Sequence, residues 1–160
     1  MIVLGVDPAL AVSGYGVIRV NKISLDLIEA GIIKTSSEES IPSRLDKIYR
    51  GVLKLISDTG ADCLVLEKIY SHYKHPVTAC ILGEARGVIC LAAFTAGLPF
   101  FEYSATRIKK AIIGKGLASK AQVQRMVTHI LRLKTLTPYL DVTDALALAI
   151  AHSYIVKVKI

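Results

Sequence analysis

The sequence predicts an α/β fold, one mixed five-stranded sheet flanked by helices, in a single domain spanning residues 1–160. Three observations predict it. Short apolar runs of strand length alternate with longer segments whose apolar residues recur every three or four positions. The order is three strands, helix, strand, helix, strand, helices, which joins an antiparallel meander to later strands reached by crossover helices. No internal repeat, low-complexity tract or linker divides the chain, and its length suits one core that buries roughly two thirds of the unfolded surface.

Ile2 to Asp7 reads as a buried strand, joined by the turn 8–13 to a second strand over 14–20, with a third over 24–35. Residues 43–57 read as a helix, because Leu45, Ile48, Tyr49, Val52, Leu55 and Ile56 recur at spacings of three and four and Gly60 follows. Cys63 to Leu66 is uninterruptedly apolar, as expected of a strand covered on both faces. Residues 77–96 read as a largely buried helix in which Gly83 and Gly87 let another backbone come close. A fifth strand over 99–103 precedes helices over 105–113, 119–133 and 141–156.

The formal charge of +7 is unevenly spread. Between Glu102 and Asp141 there is no acidic residue, while Arg107, Lys109, Lys110, Lys115, Lys120, Arg125, Arg132 and Lys134 give that segment +8 and leave −1 for the rest. A solvated helical face accounts for many charge runs, but such faces mix signs, so this one favours a polyanion-binding surface. Cys63, Cys80 and Cys90 form no CxxC pair and lie in apolar runs, which predicts buried thiols in a reducing compartment and a cytoplasmic protein. No leader peptide is expected. The apolar stretch from Val88 to Phe101 is broken by Thr95, Gly97 and Pro99, short of the roughly 20 residues of a membrane span, so no membrane partner is expected.

Four acids stand out. Asp7 and Glu67 each follow an apolar strand directly, at the carboxyl ends where open α/β sheets place ligands. Either alone also fits an ordinary loop acid. Asp141 and Asp144, three apart, share one side of the last helix. By themselves they fit a capping role, since acids in a first turn satisfy free N–H groups and the helix dipole. After Asp144, however, the helix runs Ala-Leu-Ala-Leu-Ala-Ile-Ala, so it must pack on the sheet and bring its first turn to the strand ends. Four converging carboxylates repel one another unless cations intervene. Oxygen donors suit Mg²⁺ or Mn²⁺, and two such ions about 4 Å apart can clamp the attacking and leaving oxygens of a phosphodiester. Acids beside a basic segment are coherent for nuclease chemistry.

The motifs Leu4-Gly-Val-Asp-Pro8, Gly14-Tyr-Gly-Val17, Pro42-Ser-Arg-Leu45, Leu64-Val-Leu-Glu67, Leu82-Gly-Glu-Ala-Arg-Gly-Val88, Phe101-Glu-Tyr103, Ala118-Ser-Lys-Ala-Gln-Val-Gln124 and Asp141-Val-Thr-Asp-Ala-Leu-Ala147 follow in order along almost the whole chain. Together they resemble the RuvC family of Holliday-junction resolvases. The resemblance implies a ribonuclease-H-like fold and a Mg²⁺-dependent crossover junction endodeoxyribonuclease of recombination and repair, with Mn²⁺ able to substitute. It implies metal-binding roles for Asp7, Glu67, Asp141 and Asp144, and catalytic roles for Lys109 and Lys120. An aromatic that meets DNA falls on Tyr70, which can stack on an exposed base or instead cap the core. Arg107, Lys110, Lys115 and Arg125 are the further DNA-contact candidates of the basic segment. The implied partners are four-way junction DNA, a second copy of the chain, and the RuvA and RuvB branch-migration complex.

The chain departs from the family pattern at Ala9, where glycine is common, and at His75, where asparagine is usual. His72 and His75 lack further zinc ligands at suitable spacing. Three rival readings differ in class. An actin-like kinase needs two such domains; a silent DNA-binding module leaves the strand-end acids unexplained; a sister nuclease acting on RNA or RNA–DNA hybrids shares the fold. For the helix over 77–96, apolar on more than one face, burial within its own domain and a dimer interface both remain open.

Overall fold

The computed structural model describes residues 1–69, 76–134 and 139–157. Five strands form one sheet: β1 (Ile2–Asp7), β2 (Val12–Val20), β3 (Leu25–Lys34), β4 (Cys63–Glu67) and β5 (Phe100–Tyr103). The helices are α1 (Ile41–Thr59), α2 (Pro76–Thr95), α3 (Ala105–Ile113), α4 (Lys120–Ile130) and α5 (Leu140–Lys157). The sheet order is β3-β2-β1-β4-β5, with β1, β2 and β3 antiparallel and β4 parallel to both β1 and β5. The mixed five-stranded sheet is thus as expected, and β1 and β4 are its central strands.

Both faces of the sheet are covered, which is why β1 and β4 are continuous apolar runs rather than alternating ones. On one face Leu4, Val6, Leu64 and Leu66 pack with Ile48, Val52 and Ile89 of α1 and α2. On the other, Val3, Cys63 and Val65 pack with Ile108, Val127, Leu146 and Ile150 of α3, α4 and α5.

Local chemistry sets the helix ends, and here the periodicity alone was inaccurate. Ser40 caps α1 by accepting from Ser43 N, and Pro42 sits where no N–H is needed, so the helix begins two residues before the apolar pattern. Helix α4 begins with a reciprocal Ser119–Gln122 capping box. It ends at Ile130 rather than 133 because Arg132 turns left-handed, with φ 52, and Leu133 N donates back to Thr128 O at 2.9 Å.

Helix α5 lies across β1 and β2 on a floor of glycines. A β-carbon at Gly5 would overlap the Ala145 carbonyl, one at Gly14 the Asp141 backbone, and one at Gly16 the Leu146 side chain. Gly14 is also the strand partner of Asp7. The glycines therefore do not merely admit α5; they set its first turn directly beside the end of β1.

Helix α2 corrects two expectations. Only its inner face, Ala85, Ile89, Ala92 and Ala93, is buried. Its outer face leaves Val77 70%, Leu91 53% and Phe94 83% exposed, and a β-carbon at Gly83 or Gly87 would meet nothing within 4 Å. The helix is therefore not largely buried. Cys80 is exposed and Cys90 half-buried, leaving Cys63 as the one buried thiol of the three, because an apolar run does not say which side of a helix meets the core. By length and composition α2, which starts well before Val88, would also be apolar enough to cross a membrane, but here its inner face is a layer of the α/β packing.

Replacing Gly5 with alanine should force α5 off β1 and lower the unfolding free energy by about 1–3 kcal/mol, the usual cost of overpacking a tight core. Urea denaturation of Gly5→Ala measures this, and an unchanged midpoint would mean that α5 does not need the glycine floor.

Candidate active site

The head of the sheet gathers the residues singled out from sequence. Asp7 closes β1, Glu67 closes β4, and Asp141 and Asp144 lie in the first turns of α5. A cleft of about 420 Å³ is bordered by Asp7, Pro8, Glu67, Lys68, Lys120 and Asp144. A narrower recess of about 180 Å³ adjoins it, with Glu67, Lys109, Lys120 and Asp144 against the apolar wall of Ile108 and Val123. A larger hollow of about 520 Å³ lies at the other end of the sheet, between the β2–β3 turn and the C-terminal ends of α4 and α5. Its ionisable groups, Asp26, His129, Arg132 and Tyr154, form no acid cluster, so size alone does not mark the chemistry.

Burial, then the charges of Asp144, Asp141 and Glu67, push the Asp7 carboxyl up from 3.8 to about 7, with Lys120 opposing. Glu67 is raised by burial and by Asp144, while Lys120 and Lys109 pull it down. Asp7 therefore feels the other three acids, as expected of a carboxylate brought close to others without neutralising charge. Lys120 Nζ donates to Asp144 Oδ2 at 3.1 Å, and this bond and charge raise the Lys120 ammonium. That lysine is 75% exposed, so the pair is a weak tether that a stronger anion can displace.

Asp141 does not border the cleft, and among the described residues no three acids, histidines or cysteines already form a finished metal-coordinating group. Convergence is thus electrostatic and regional. The all-oxygen donor set and the mutual repulsion at Asp7 fit a hard divalent cation, which would supply the positive charge that the acids lack.

The turn after Asp7 is held by residues that sequence reasoning missed. The fully buried Ser13 donates to Ala9 O at 2.6 Å and accepts from Ala9 N at 3.1 Å. Thr35 donates to Leu10 O, and Arg44 of the Pro42-Ser-Arg-Leu45 motif donates to Thr35 Oγ1 at 2.9 Å. Among the described non-glycine residues only Arg132 has positive φ, so Ala9 occupies its turn without backbone strain. The signal for Ser13 was a polar residue just inside an apolar strand.

Arg107, Lys110, Lys115 and Arg125 are exposed on α3, the loop after it and α4, the elements that wall the narrower recess. The Arg107 guanidinium lies 5.1 Å from the centre of the Tyr103 ring. Tyr70, His72 and His75 lie outside the described residues.

The family model described as "Crossover junction endodeoxyribonuclease RuvC" matches residues 3–152. The chain belongs to the RuvC family. The RuvC of Rhodopirellula baltica is 41% identical over 153 residues, covering 96% of this chain and 86% of that protein. The RuvC of Vibrio vulnificus is 43% identical over 152 residues, covering 95% and 86%. Among solved structures, Thermus thermophilus RuvC in complex with Holliday junction substrate superposes with a TM-score of 0.93 at 31% identity, covering 99% of this chain and 96% of that one. The ribonuclease-H-like fold implied by the RuvC resemblance is therefore present.

The raised Asp7 carboxyl has a thermodynamic consequence. Its folded value of about 7 lies above its unfolded value near 3.8, so folded protein holds this proton more tightly. Metal-free protein should then lose stability as pH rises from about 4 to 7. A tenfold change in proton affinity is worth about 1.4 kcal/mol, reduced here by solvent access. Melting curves of Asp7→Asn in chelator should show a flatter pH dependence and a higher midpoint at pH 8 than the parent protein; equal slopes would mean that Asp7 is not electrostatically loaded.

Proposed function

We propose that this chain is a nuclease of one domain that resolves four-way DNA junctions by paired, symmetric, Mg²⁺-dependent phosphodiester hydrolysis in recombination and repair. The observation that carries this reading is the loading of Asp7 by three further carboxylates at the sheet head, in a member of a family whose proteins are named crossover junction endodeoxyribonucleases.

Asp7, Glu67, Asp141 and Asp144 would hold the metal, a pair of Mg²⁺ ions or Mn²⁺ in their place. Held by these four carboxylates, such ions would supply the Lewis acidity that phosphodiester hydrolysis needs. The chain's own cations do the rest. Lys120, already beside Asp144 and free on most of its surface, can exchange that carboxylate for a phosphate oxygen where charge builds up in the transition state. Lys109 stands across the narrower recess, where its charge acts on Glu67. Arg107, Lys110, Lys115 and Arg125 offer phosphate contacts on α3, the loop after it and α4, and Tyr70 an aromatic face for an exposed base.

Resolution needs two related cuts, and the chain provides one set of four acids. A two-fold homodimer supplies both, and the outer face of α2 is a suitable seam: Val77, Ile81, Leu91 and Phe94 are exposed, with Gly83 and Gly87 open between them for close approach. Free thiols on this face and in the core suit the cytoplasm. Work beside the RuvA and RuvB branch-migration complex follows from the family reading.

Synthetic four-way junctions should be cut in Mg²⁺ and left intact in chelator, with linear duplex and RNA–DNA hybrid cut far less; preference for the hybrid would make this a hybrid nuclease instead. Asp7→Asn and Glu67→Gln should abolish cutting with junction affinity retained, because affinity comes mainly from basic contacts to phosphate. Lys120→Ala should slow single-turnover cutting by about a hundredfold and weaken binding much less; affinity falling in step with rate would remove Lys120 from the chemistry. Mixed dimers of parent and Asp7→Asn subunits should nick one strand only, and Leu91→Arg should yield monomers by light scattering. A monomer that cuts both strands would rule out the paired-subunit scheme.

A further inference from the structure

The Leu82-Gly-Glu-Ala-Arg-Gly-Val88 motif contributes a residue that neither the acids nor the basic surface employs. Arg86 projects from the edge of α2 into the seam between that helix and the sheet, with its side chain only 13% exposed. Its Nη1 donates to the backbone carbonyl of Glu67 at 2.8 Å. Its Nη2 forms an ion pair with Glu102 of β5. The guanidinium carbon lies 5.8 Å from the centre of the Phe100 ring.

These contacts meet where β4 loses its pairing with β1 and keeps only that with β5. The β1–β4 ladder ends at Val6–Leu66, one residue before Glu67, and on the other side Glu67 pairs with Tyr103 at the last residue of β5. There Lys68 N still donates to Tyr103 O at 2.9 Å, so the Glu67 peptide keeps a ladder bond to β5 after its pairing with β1 has ended, while burial and then Asp144 raise the Glu67 carboxyl. A guanidinium is a planar fork whose N–H directions are fixed relative to one another. With one branch on Glu102 and the other on Glu67 O, the fork fixes the carbonyl side of a peptide whose N–H side is already bonded to Tyr103 O, and so sets the tilt of that peptide against β5. The peptide in turn sets the Cα from which the Glu67 side chain departs.

We propose that Arg86 is a positioning residue for Glu67, clamping the Glu67 peptide against β5 and so orienting a metal-binding carboxylate that it does not touch. Glu102 orients the clamp. The inference rests on the metal-dependent reading of the site given above. Groups that orient metal ligands in this way commonly change metal affinity or activity by about 10–100-fold when removed.

The test compares Arg86→Lys, Arg86→Met and Glu102→Gln with the parent protein and with Glu67→Gln. Lysine keeps the charge but replaces the fork by a point donor that cannot hold both oxygens in register. Mn²⁺ is titrated into DNA-free protein and followed by electron paramagnetic resonance. Single-turnover junction cleavage is measured against Mg²⁺ concentration, with metal-free junction binding and thermal melting as companions. The two Arg86 variants should bind Mn²⁺ about 10–100-fold more weakly and need correspondingly more Mg²⁺ for half-maximal rate, with junction affinity within about twofold of the parent; Glu102→Gln should move the same way by less. Parent-like Mn²⁺ affinity and Mg²⁺ dependence in both Arg86 variants would overturn the proposal, as would loss of junction affinity in step with rate. Should both fail to fold, Glu102→Gln decides, and parent-like Mn²⁺ affinity there would overturn it. If the parent protein binds Mn²⁺ through Glu67 yet cuts no junction, the nuclease reading fails, while weakened Mn²⁺ binding in Arg86→Lys would still support the clamp.

Discussion

The backbone of α5 rests on β1 and β2 where Gly5, Gly14 and Gly16 leave no side chains in the way. Any β-carbon at those positions would lift the helix, and lifting it would carry Asp141 and Asp144 away from the strand end. The register completes the constraint, because Gly14 pairs with Asp7 and the Asp141 backbone sits over Gly14. Helix packing and acid placement are therefore one contact. The consequence is repulsion: Asp7 is pushed up to about 7 by burial and by the three other carboxylates. A site of this kind is held together by core packing while it waits for positive charge.

Around that acid centre the chain arranges its cations in graded order. Lys120 touches an acid, Lys109 acts on Glu67 across the recess, and Arg107, Lys110, Lys115 and Arg125 remain at the surface of α3, α4 and the loop between them. A bare acid cluster would repel the phosphate it has to cut. The basic flank offsets that charge at long range, and the solvent-exposed Lys120–Asp144 pair is weak enough for another anion to displace.

Helix α2 shows how one apolar sequence serves two surfaces. Its inner face of alanines and Ile89 permits close packing against α1, and Arg86 reaches from its edge to the end of β4. Its outer face keeps Val77, Leu91 and Phe94 in solvent. In the seam on the opposite side of the sheet, His152 is buried between Tyr103 Oη, at 2.9 Å from Nδ1, and Cys63 Sγ, at 3.5 Å from Nε2, while burial holds its imidazole below the usual range. A buried polar cluster of this kind is tolerated because each ring nitrogen has a partner.

Sequence by itself determined the order of strands and helices, because burial on one or two faces imposes a period that the residues display. It also determined the candidate acids, since strand ends and a helix start can be read from the same periods, and the ordered motifs determined the family. Boundaries set by one hydrogen bond or one backbone angle, such as Ser40 at α1 or Arg132 after α4, fell outside that reading because periodicity averages over turns. Only the tertiary structure decided which side of α2 was covered, leaving Cys80 outside, and that Asp141 influences Asp7 without bordering the cleft. It alone joined Arg86 to Glu67 and Glu102, residues far apart along the chain with no shared local pattern. Such contacts depend on strand register and helix depth, which arise when the layers pack and the glycines set how closely they do so.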